Sequence, residues 1–315
     1  MSRAQLTSTV EQNTGGAVSP YVAGKNKIIN GDFNIWQRGA GPFTSFGNYT
    51  ADRFQMGGDG GSSSVTQQTF TPGTAPVSGY EGQYFIRMVT TVSGSNNLYM
   101  IQRVEDVRTF ANQTVTLSYW AKCASGTVTS TPLFVQSFGS GGSGAVVFNA
   151  SNSATITTSW QRFTHTLSVP SIAGKTVGTG SYLEAQIIRF ASSATVDLWG
   201  VQMEAGSVAT AFQTATGTLS GELEACQRYF YASTVSNIWG GNTVSSSTYY
   251  TTIAYKVTMR AQPTLAFVSV GSNSFASGAP TISDSKASEA WVGNVANGAA
   301  NGAYYQFSYT ASAEL

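Results

Sequence analysis

The sequence predicts an all-β chain: an N-terminal arm, a jelly-roll β-sandwich, a short linking helix and a smaller C-terminal β-sandwich domain. Three observations point there. Apolar residues recur in short period-two runs cut by Gly, Pro, Asn and Ser, the pattern of half-buried strands joined by turns. Glycine is abundant at 34 of 315 residues, and charged residues make up only 10%, against about a quarter in ordinary soluble proteins. Finally, Asn30-Gly-Asp-Phe-Asn-Ile-Trp-Gln-Arg-Gly39 is answered by Thr195-Val-Asp-Leu-Trp-Gly-Val-Gln-Met-Glu-Ala-Gly206, and the two read as the first and last strands of one sandwich.

Residues 1–24 are polar, with at most a helical hint at Leu6 and Val10, and read as an arm. They lack the apolar core of a signal peptide, and no run in the chain is long and apolar enough to span a bilayer. The expectation is a soluble chain made in the cytoplasm, with no membrane insertion and no classical export. Residues 25–213 form the jelly roll. Val115, Leu117, Tyr119 and Ala121 share one face of a strand, and Thr114, Thr116, Ser118, Trp120 and Lys122 the other. A second strand turns Phe163, His165, Leu167 and Val169 inward. Gly/Ser-rich stretches at 57–64 and 137–144 are turns rather than phosphate cradles, because no Lys-Ser/Thr follows them and no helical pattern begins.

Over residues 214–231 the period changes. Leu219, Leu223, Cys226 and Phe230 are spaced to lie on one stripe of a short helix. A helix this short is marginal alone, so the stripe packs on a neighbouring domain or meets copies of itself about a symmetry axis. From residue 232 alternation returns, with Ile253, Tyr255, Val257 and Met259 facing one way and Tyr305, Phe307 and Tyr309 repeating the pattern. Residues 232–315 form the terminal domain.

Composition excludes several functions. A net charge of +1 with scattered Lys and Arg leaves no footprint for nucleic acid. The single histidine, His165, sits at an inward strand position, which suits a core residue better than a catalytic base, and its count rules out a His-rich zinc site. Cys123 and Cys226 have no C-x-x-C spacing and read as buried free thiols. None of the fifteen acidic residues forms a paired-carboxylate signature. Glu105 and Asp106 lie beside Arg103 and Arg108, and Asp52 beside Arg53, as surface ion pairs would. The chain is expected not to be an enzyme.

Sugar recognition on β-sandwiches uses exposed aromatic faces flanked by amide and carboxylate side chains. Trp120, on the polar face of its strand, is one candidate platform unless a second layer covers it. Trp239 with Asn242, and Trp291 with Asn294, sit in loop-like sequence. They are candidate ligand contacts, or else packing or oligomer contacts.

The two paired stretches resemble the opening and closing strands of carbohydrate-binding-module-like jelly rolls. Together with Tyr49–Phe54, Gln102–Arg108, Thr116–Lys122, Trp160–Phe163, Glu224–Phe230, Met259–Thr264 and Tyr309–Leu315, they more closely resemble bacteriophage tail-fibre and receptor-binding proteins, over roughly residues 25 to 315. The resemblance implies a virion structural protein of the phage tail, a tail-fibre or tail-tip subunit, made in the host cytoplasm and mediating attachment to host polysaccharide or lipopolysaccharide. It implies a homotrimer, with Leu219, Leu223, Cys226 and Phe230 at the contact, and an arm that attaches to tail or baseplate proteins. It also implies a structural calcium near Asp32 and Asp197. Against that, the family's acidic residue after Gly-Asp-Phe is Asn34 here and its acidic doublet is Asp197-Leu198; the alternative is a turn-capping Asp32 and a solvated Asp197. Rival functions are a non-binding decoration or spacer protein and a carbohydrate-degrading tailspike.

Overall fold

The computed structural model describes residues 22–77, 79–91, 97–233, 237–273, 275 and 280–315. The arm expected over 1–24 falls outside them up to residue 21.

The first unit has twelve strands among the described residues. In chain order they are β1 (Gln55–Gly58), β2 (Ser63–Thr69), β3 (Tyr84–Thr90), β4 (Leu98–Glu105), β5 (Thr114–Cys123), β6 (Val128–Ser130), β7 (Leu133–Ser137), β8 (Val146–Asn149), β9 (Ala154–Ile156), β10 (Gln161–Ser168), β11 (Tyr182–Phe190) and β12 (Ala194–Ala205). They form two five-stranded antiparallel sheets, ordered β1-β4-β11-β7-β8 and β10-β5-β12-β3-β2, with β6 and β9 as a separate ribbon. Between the sheets lie Met56, Ile86, Met88, Met100, Leu117, Leu183, Ala185 and Leu198, all buried, as strand alternation requires. The predicted stripe Val115, Leu117, Tyr119 and Ala121 is buried, and so is His165.

The stretch from Asn30 to Gly39 is not the strand that its sequence suggested. It runs as consecutive turns, with positive φ at Asn30 (59°) and Phe33 (56°). Side-chain amides take over the backbone hydrogen bonding there. Asn30 Nδ2 donates to the carbonyls of Ile35 (2.9 Å) and Asp52 (3.1 Å), and its Oδ1 accepts from Ile35 N (3.0 Å). Such local bonds compete with ladder formation. The stretch still meets its partner: Val201 N donates to Gly31 O at 2.9 Å. That approach needs glycine, since a Cβ at Gly31 would lie 2.1 Å from Val201 O.

Helix α1 (Leu219–Gln227) starts at Thr218, whose hydroxyl accepts from Gly221 N at 3.0 Å. Its buried face carries Glu222 and, of the predicted apolar stripe, Cys226 alone. The Glu222 carboxylate accepts from Asn30 N (2.7 Å), Thr216 N (2.6 Å) and Thr216 Oγ1 (2.8 Å), and so fastens the helix to the Asn30 turn. Leu219 and Leu223 are exposed. Phe230 lies beyond the helix, at the start of the next strand.

The second unit comprises β13 (Phe230–Ala232), β14 (Asn237–Thr243), β15 (Thr248–Ala254), β16 (Thr264–Asn273), β17 (Thr281–Ser285), β18 (Glu289–Val295) and β19 (Ala300–Ser312). β19 is central to one sheet, with β16 along one edge and β13 then β14 along the other, and β15-β18-β17 form the second. Tyr305, Phe307 and Tyr309 are buried with Ile253 and Val292, as the alternation predicts. The Tyr305 hydroxyl lies 3.0 and 3.1 Å from the carbonyls of Tyr249 and Val292, on the other sheet.

Candidate functional site

The outer face of the β1-β4-β11-β7-β8 sheet combines an aromatic ring, fixed charges and an apolar row, with Glu184 and Ile101 themselves buried and Arg103 Nη1 donating to Leu315 O. Along β4, Met100, Gln102 and Val104 point to the core while Tyr99 and Arg103 point out. Along β11, Leu183 and Ala185 point in while Tyr182, Glu184 and Gln186 point out. Register sets Glu184 beside Arg103 on one side and Val135 on the other. Arg103 Nε donates to Glu184 Oε2 (2.9 Å) and Gln186 Nε2 to Glu184 Oε1 (3.1 Å). The Arg103 guanidinium is 5.1 Å from the centroid of the Tyr182 ring. Charge-assisted bonds of this kind hold side chains in place before any ligand arrives.

Tyr99 pairs across the ladder with Gly57. Its ring lies on that glycine, where a Cβ would come 2.1 Å from the ring edge. Burial pushes the Tyr99 phenol up, as do Glu184 and Asp59, against Arg189 and Arg103. Tyr99 is therefore a neutral ring. Past the β-bulge between Gln186 and Arg189, Arg189 returns to register with Tyr99, and its buried Nε has no hydrogen-bond partner among the described residues. Leu133, Val135 and Val147 complete the face. Next to it, a cleft of about 540 Å³ is lined by Lys27, Gln102, Arg103, Glu105, Arg108 and Tyr229 among others. A planar ring beside preset donors and acceptors suits a polyhydroxylated ligand. The Glu184 carboxylate is committed to Arg103 and Gln186.

Of these face residues, the sequence marks Arg103 as an ion-pair member and Gly57 as part of a Gly/Ser-rich turn, whereas the structure puts Gly57 in β1; the others carry no signal of their own. The available signal was a Tyr and a Gly on strands whose pairing the sequence does not disclose. The residues that were singled out are placed as follows. Trp120 is buried rather than a platform: Trp199, Phe212 and the Arg162 guanidinium lie 5.6, 6.0 and 4.6 Å from its ring. The segment after β12 supplies that cover, held where Arg162 Nη2 donates to Thr210 O at 2.6 Å. Trp239 and Trp291 are on strands β14 and β18, not loops. Trp239 is packed against Tyr249, Phe275 and Tyr305, whereas Trp291 is exposed. Asn242 is exposed, and Asn294 is buried with its Oδ1 accepting from Val295 N at 2.9 Å. The residues proposed for oligomerisation divide, with Leu219 and Leu223 outside and Cys226 and Phe230 buried.

His165 is closed in the core. Its Nε2 is 3.1 Å from Tyr119 Oη and its Nδ1 is 3.0 Å from Asn152 O. Burial lowers its pKa and keeps it neutral. Cys123 and Cys226 are free, buried thiols. Of the expected surface ion pairs, Asp106 meets Arg108, but Glu105 meets Arg228, Arg103 meets Glu184, and Asp52 and Arg53 are buried.

The pairing of Asp32 with Asp197 around calcium is not formed. Asp197 is bound by Arg87 (2.7 Å) and Lys122 (3.8 Å), so its carboxylate is already neutralised. Asp32 Oδ2 accepts from Asn34 Nδ2 (2.7 Å) and Tyr80 Oη (2.9 Å), and burial raises its pKa. The Oδ1 atoms of Asp32 and Asn34 are buried and have no hydrogen-bond partner among the described residues. Two oxygens fall short of the six to eight that calcium takes, and no cluster of three or more His, Cys, Asp or Glu able to hold a metal occurs among the described residues.

No family model matches the chain, and no curated protein matches it. Several solved structures resemble it. The CBM22-1 xylan-binding domain of Paenibacillus barcinonensis Xyn10C is 14% identical and covers 60% of this chain and 99% of its own, with a TM-score of 0.36. The CBM22-1–CBM22-2 tandem of the same protein is 11% identical and covers 95% of this chain and 92% of its own, with a TM-score of 0.36. The enzymatically active domain of tailspike protein 4 of bacteriophage CBA120 is 16% identical, with a TM-score of 0.35, over 60% of this chain and 22% of that one. These are similarities alone; the chain's own paired sheets identify it as an all-β protein built of β-sandwich units, with one short helix among the described residues.

Proposed function

We propose that this chain is a non-enzymatic glycan-recognition subunit of a bacteriophage tail fibre or tail tip, resident in the virion and acting in host attachment. The observation that carries the reading is the outer sheet face, where the Tyr99 ring on Gly57 stands beside the Arg103–Glu184–Gln186 network. The ordered sequence stretches that resemble tail-fibre proteins supply the setting, a homotrimer joined by its arm to tail or baseplate proteins. Repeated weak sugar contacts in such an assembly gain avidity without new chemistry.

The test is retention of the full chain on immobilised bacterial polysaccharides and lipopolysaccharides. Tyr99→Ala or Gln186→Ala should weaken retention about tenfold, equivalent to about 1.4 kcal/mol, with the melting temperature little changed. Equal retention of both variants and the parent would remove the face from the reading. Release of reducing ends from any retained polymer would restore the tailspike alternative.

A further inference from the structure

Two exposed aromatic side chains share one face of the terminal unit. Of the six tryptophans, Trp291 alone is exposed, at 50%, and Tyr250 is exposed to the same extent. The register of β15 on β18 pairs Tyr250 with Gly293 and Thr252 with Trp291. Tyr250 and Trp291 are therefore diagonal neighbours on one face, roughly 7 to 8 Å apart at the backbone. Gly293 makes the arrangement flat: a Cβ there would lie 2.6 Å from the Tyr250 ring, so the ring covers the glycine rather than standing away from the sheet. The first unit lays Tyr99 across Gly57 by the same cross-strand pairing.

The surroundings define the ligand. Thr248 and Thr252 share the face and are exposed. The charges beside it, Asp284 and Glu289, bracket Lys286 at 3.7 and 3.8 Å, which leaves an excess of one negative charge among the three. An acidic sugar is repelled by such a rim. The apolar C–H face of a neutral pyranose is what two flat rings ringed by hydroxyls accept.

We infer that Tyr250 and Trp291 form a stacking platform for a neutral hexopyranose chain, separate from the Tyr99 face and independent of the glycan reading of that face. The test uses the full chain carrying Tyr99→Ala, so that the first face is already disabled. Affinity electrophoresis in neutral glucan, mannan or galactan gels, beside a polyuronate gel, reads binding. Quenching of tryptophan fluorescence by acrylamide reads cover of Trp291. The expectation is retardation in at least one neutral gel and none in the polyuronate. Trp291→Ala or Tyr250→Ala should weaken it about tenfold, Trp291→Tyr should retain part of it, and the same glycan should reduce quenching in the parent but not in Trp291→Ala. Three outcomes would overturn the inference. One is no retardation in any neutral gel. Another is a Tyr250→Ala variant that melts earlier yet binds unchanged, making the ring a cover for Gly293. The third is a larger assembly that Trp291→Ala reduces to 33.1 kDa, making a second copy the occupant.

Discussion

Arg53 and Glu314 form a buried ion pair across 261 residues of sequence, and it joins the two β-units of the chain. Arg53 adopts φ 71° in the turn before β1. Its guanidinium lies 3.5 Å from the centroid of the Tyr229 ring, and Nη2 donates to Arg103 O at 2.7 Å. Glu314 also accepts from Arg38 Nη2 at 3.1 Å, and Arg38 in turn covers the Phe230 ring at 3.5 Å. Arginine planes stacked on the residues that open the second unit, and bonded to one near its end, fix how that unit is carried.

Removing one member of this pair leaves the other charged and buried. Glu314→Leu should therefore destabilise the chain by about 3 to 5 kcal/mol. Arg53→Met combined with Glu314→Leu should recover much of that loss, because both charges then leave the interior together. Urea titrations of the parent, single and double variants decide the matter. A single variant as stable as the parent would show that the pair does not hold the junction.

Asp52 makes the same junction sensitive to pH. Its Oδ1 accepts from Gln37 N at 3.0 Å and its Oδ2 from Gln37 Nε2, while Gln37 Nε2 also donates to Phe230 O at 2.8 Å. Burial raises Asp52 from 3.8 to about 6, against the hydrogen bonds from Gln37 and the charge of Arg38. A carboxyl raised in the folded state binds more protons there than in the unfolded chain between those two values. Its contribution is fully present below 3.8 and is lost as pH rises through 6. Between pH 5 and pH 7.5 the loss is about 1 kcal/mol, on the scale of 1.36 kcal/mol per pKa unit. Asp32 and Glu222 shift in the same direction, so the informative quantity is a difference. The parent should lose about 1 kcal/mol more than Asp52→Asn over that range, and parallel pH profiles would contradict the assignment.

Gly31 and Val201 carry the contact between the two matching sequence stretches. Gly31→Ala places a methyl against the Val201 carbonyl, 2.1 Å away before relaxation. The obstacle is backbone, so relief requires moving β12, and a loss of about 3 kcal/mol is expected. Gly144→Ala is the control, since nothing lies within 4 Å of its added carbon. Comparable midpoints for the two variants in denaturant would remove the steric argument.

Strand faces were legible in the sequence because they depend on a local period of two. Leu117, Tyr119, His165, Leu167, Tyr305 and Phe307 all fall on the buried side. Partnership between strands was not legible. Tyr99 with Gly57 and Tyr250 with Gly293 come together through register, which no local pattern carries. What covers Trp120 was not legible for a related reason: its strand does place it outward, and the segment that covers it comes about 90 residues later, at Phe212. In α1, spacing put the leucines on one stripe with Cys226, to pack on a neighbouring domain or on copies of itself, but Asn30 N and Thr216 offered hydrogen bonds that drew Glu222 inward and left the leucines outside.

That reversal is what leaves Leu219 and Leu223 available to a neighbour. They are 64% and 37% exposed, one turn apart, on a helix whose opposite face is already satisfied. Leu223 borders hollows of about 330 Å³, with Ile35 and Trp36, and about 300 Å³, with Tyr231 and Lys256. If the chain is a homotrimer joined there, light scattering on a sizing column gives about 99 kDa, three times 33.1 kDa, and Leu223→Glu reduces it to one chain. An exposed leucine contributes little to the fold of a single subunit, so the separated chain should keep its β-rich circular dichroism. Cys226→Ser gives the contrasting result, because that thiol is fully buried: stability falls while the assembly stays in proportion to the folded fraction. A parent that elutes at 33.1 kDa at every concentration would end the intrinsic-trimer reading and leave oligomerisation to the virion that holds it.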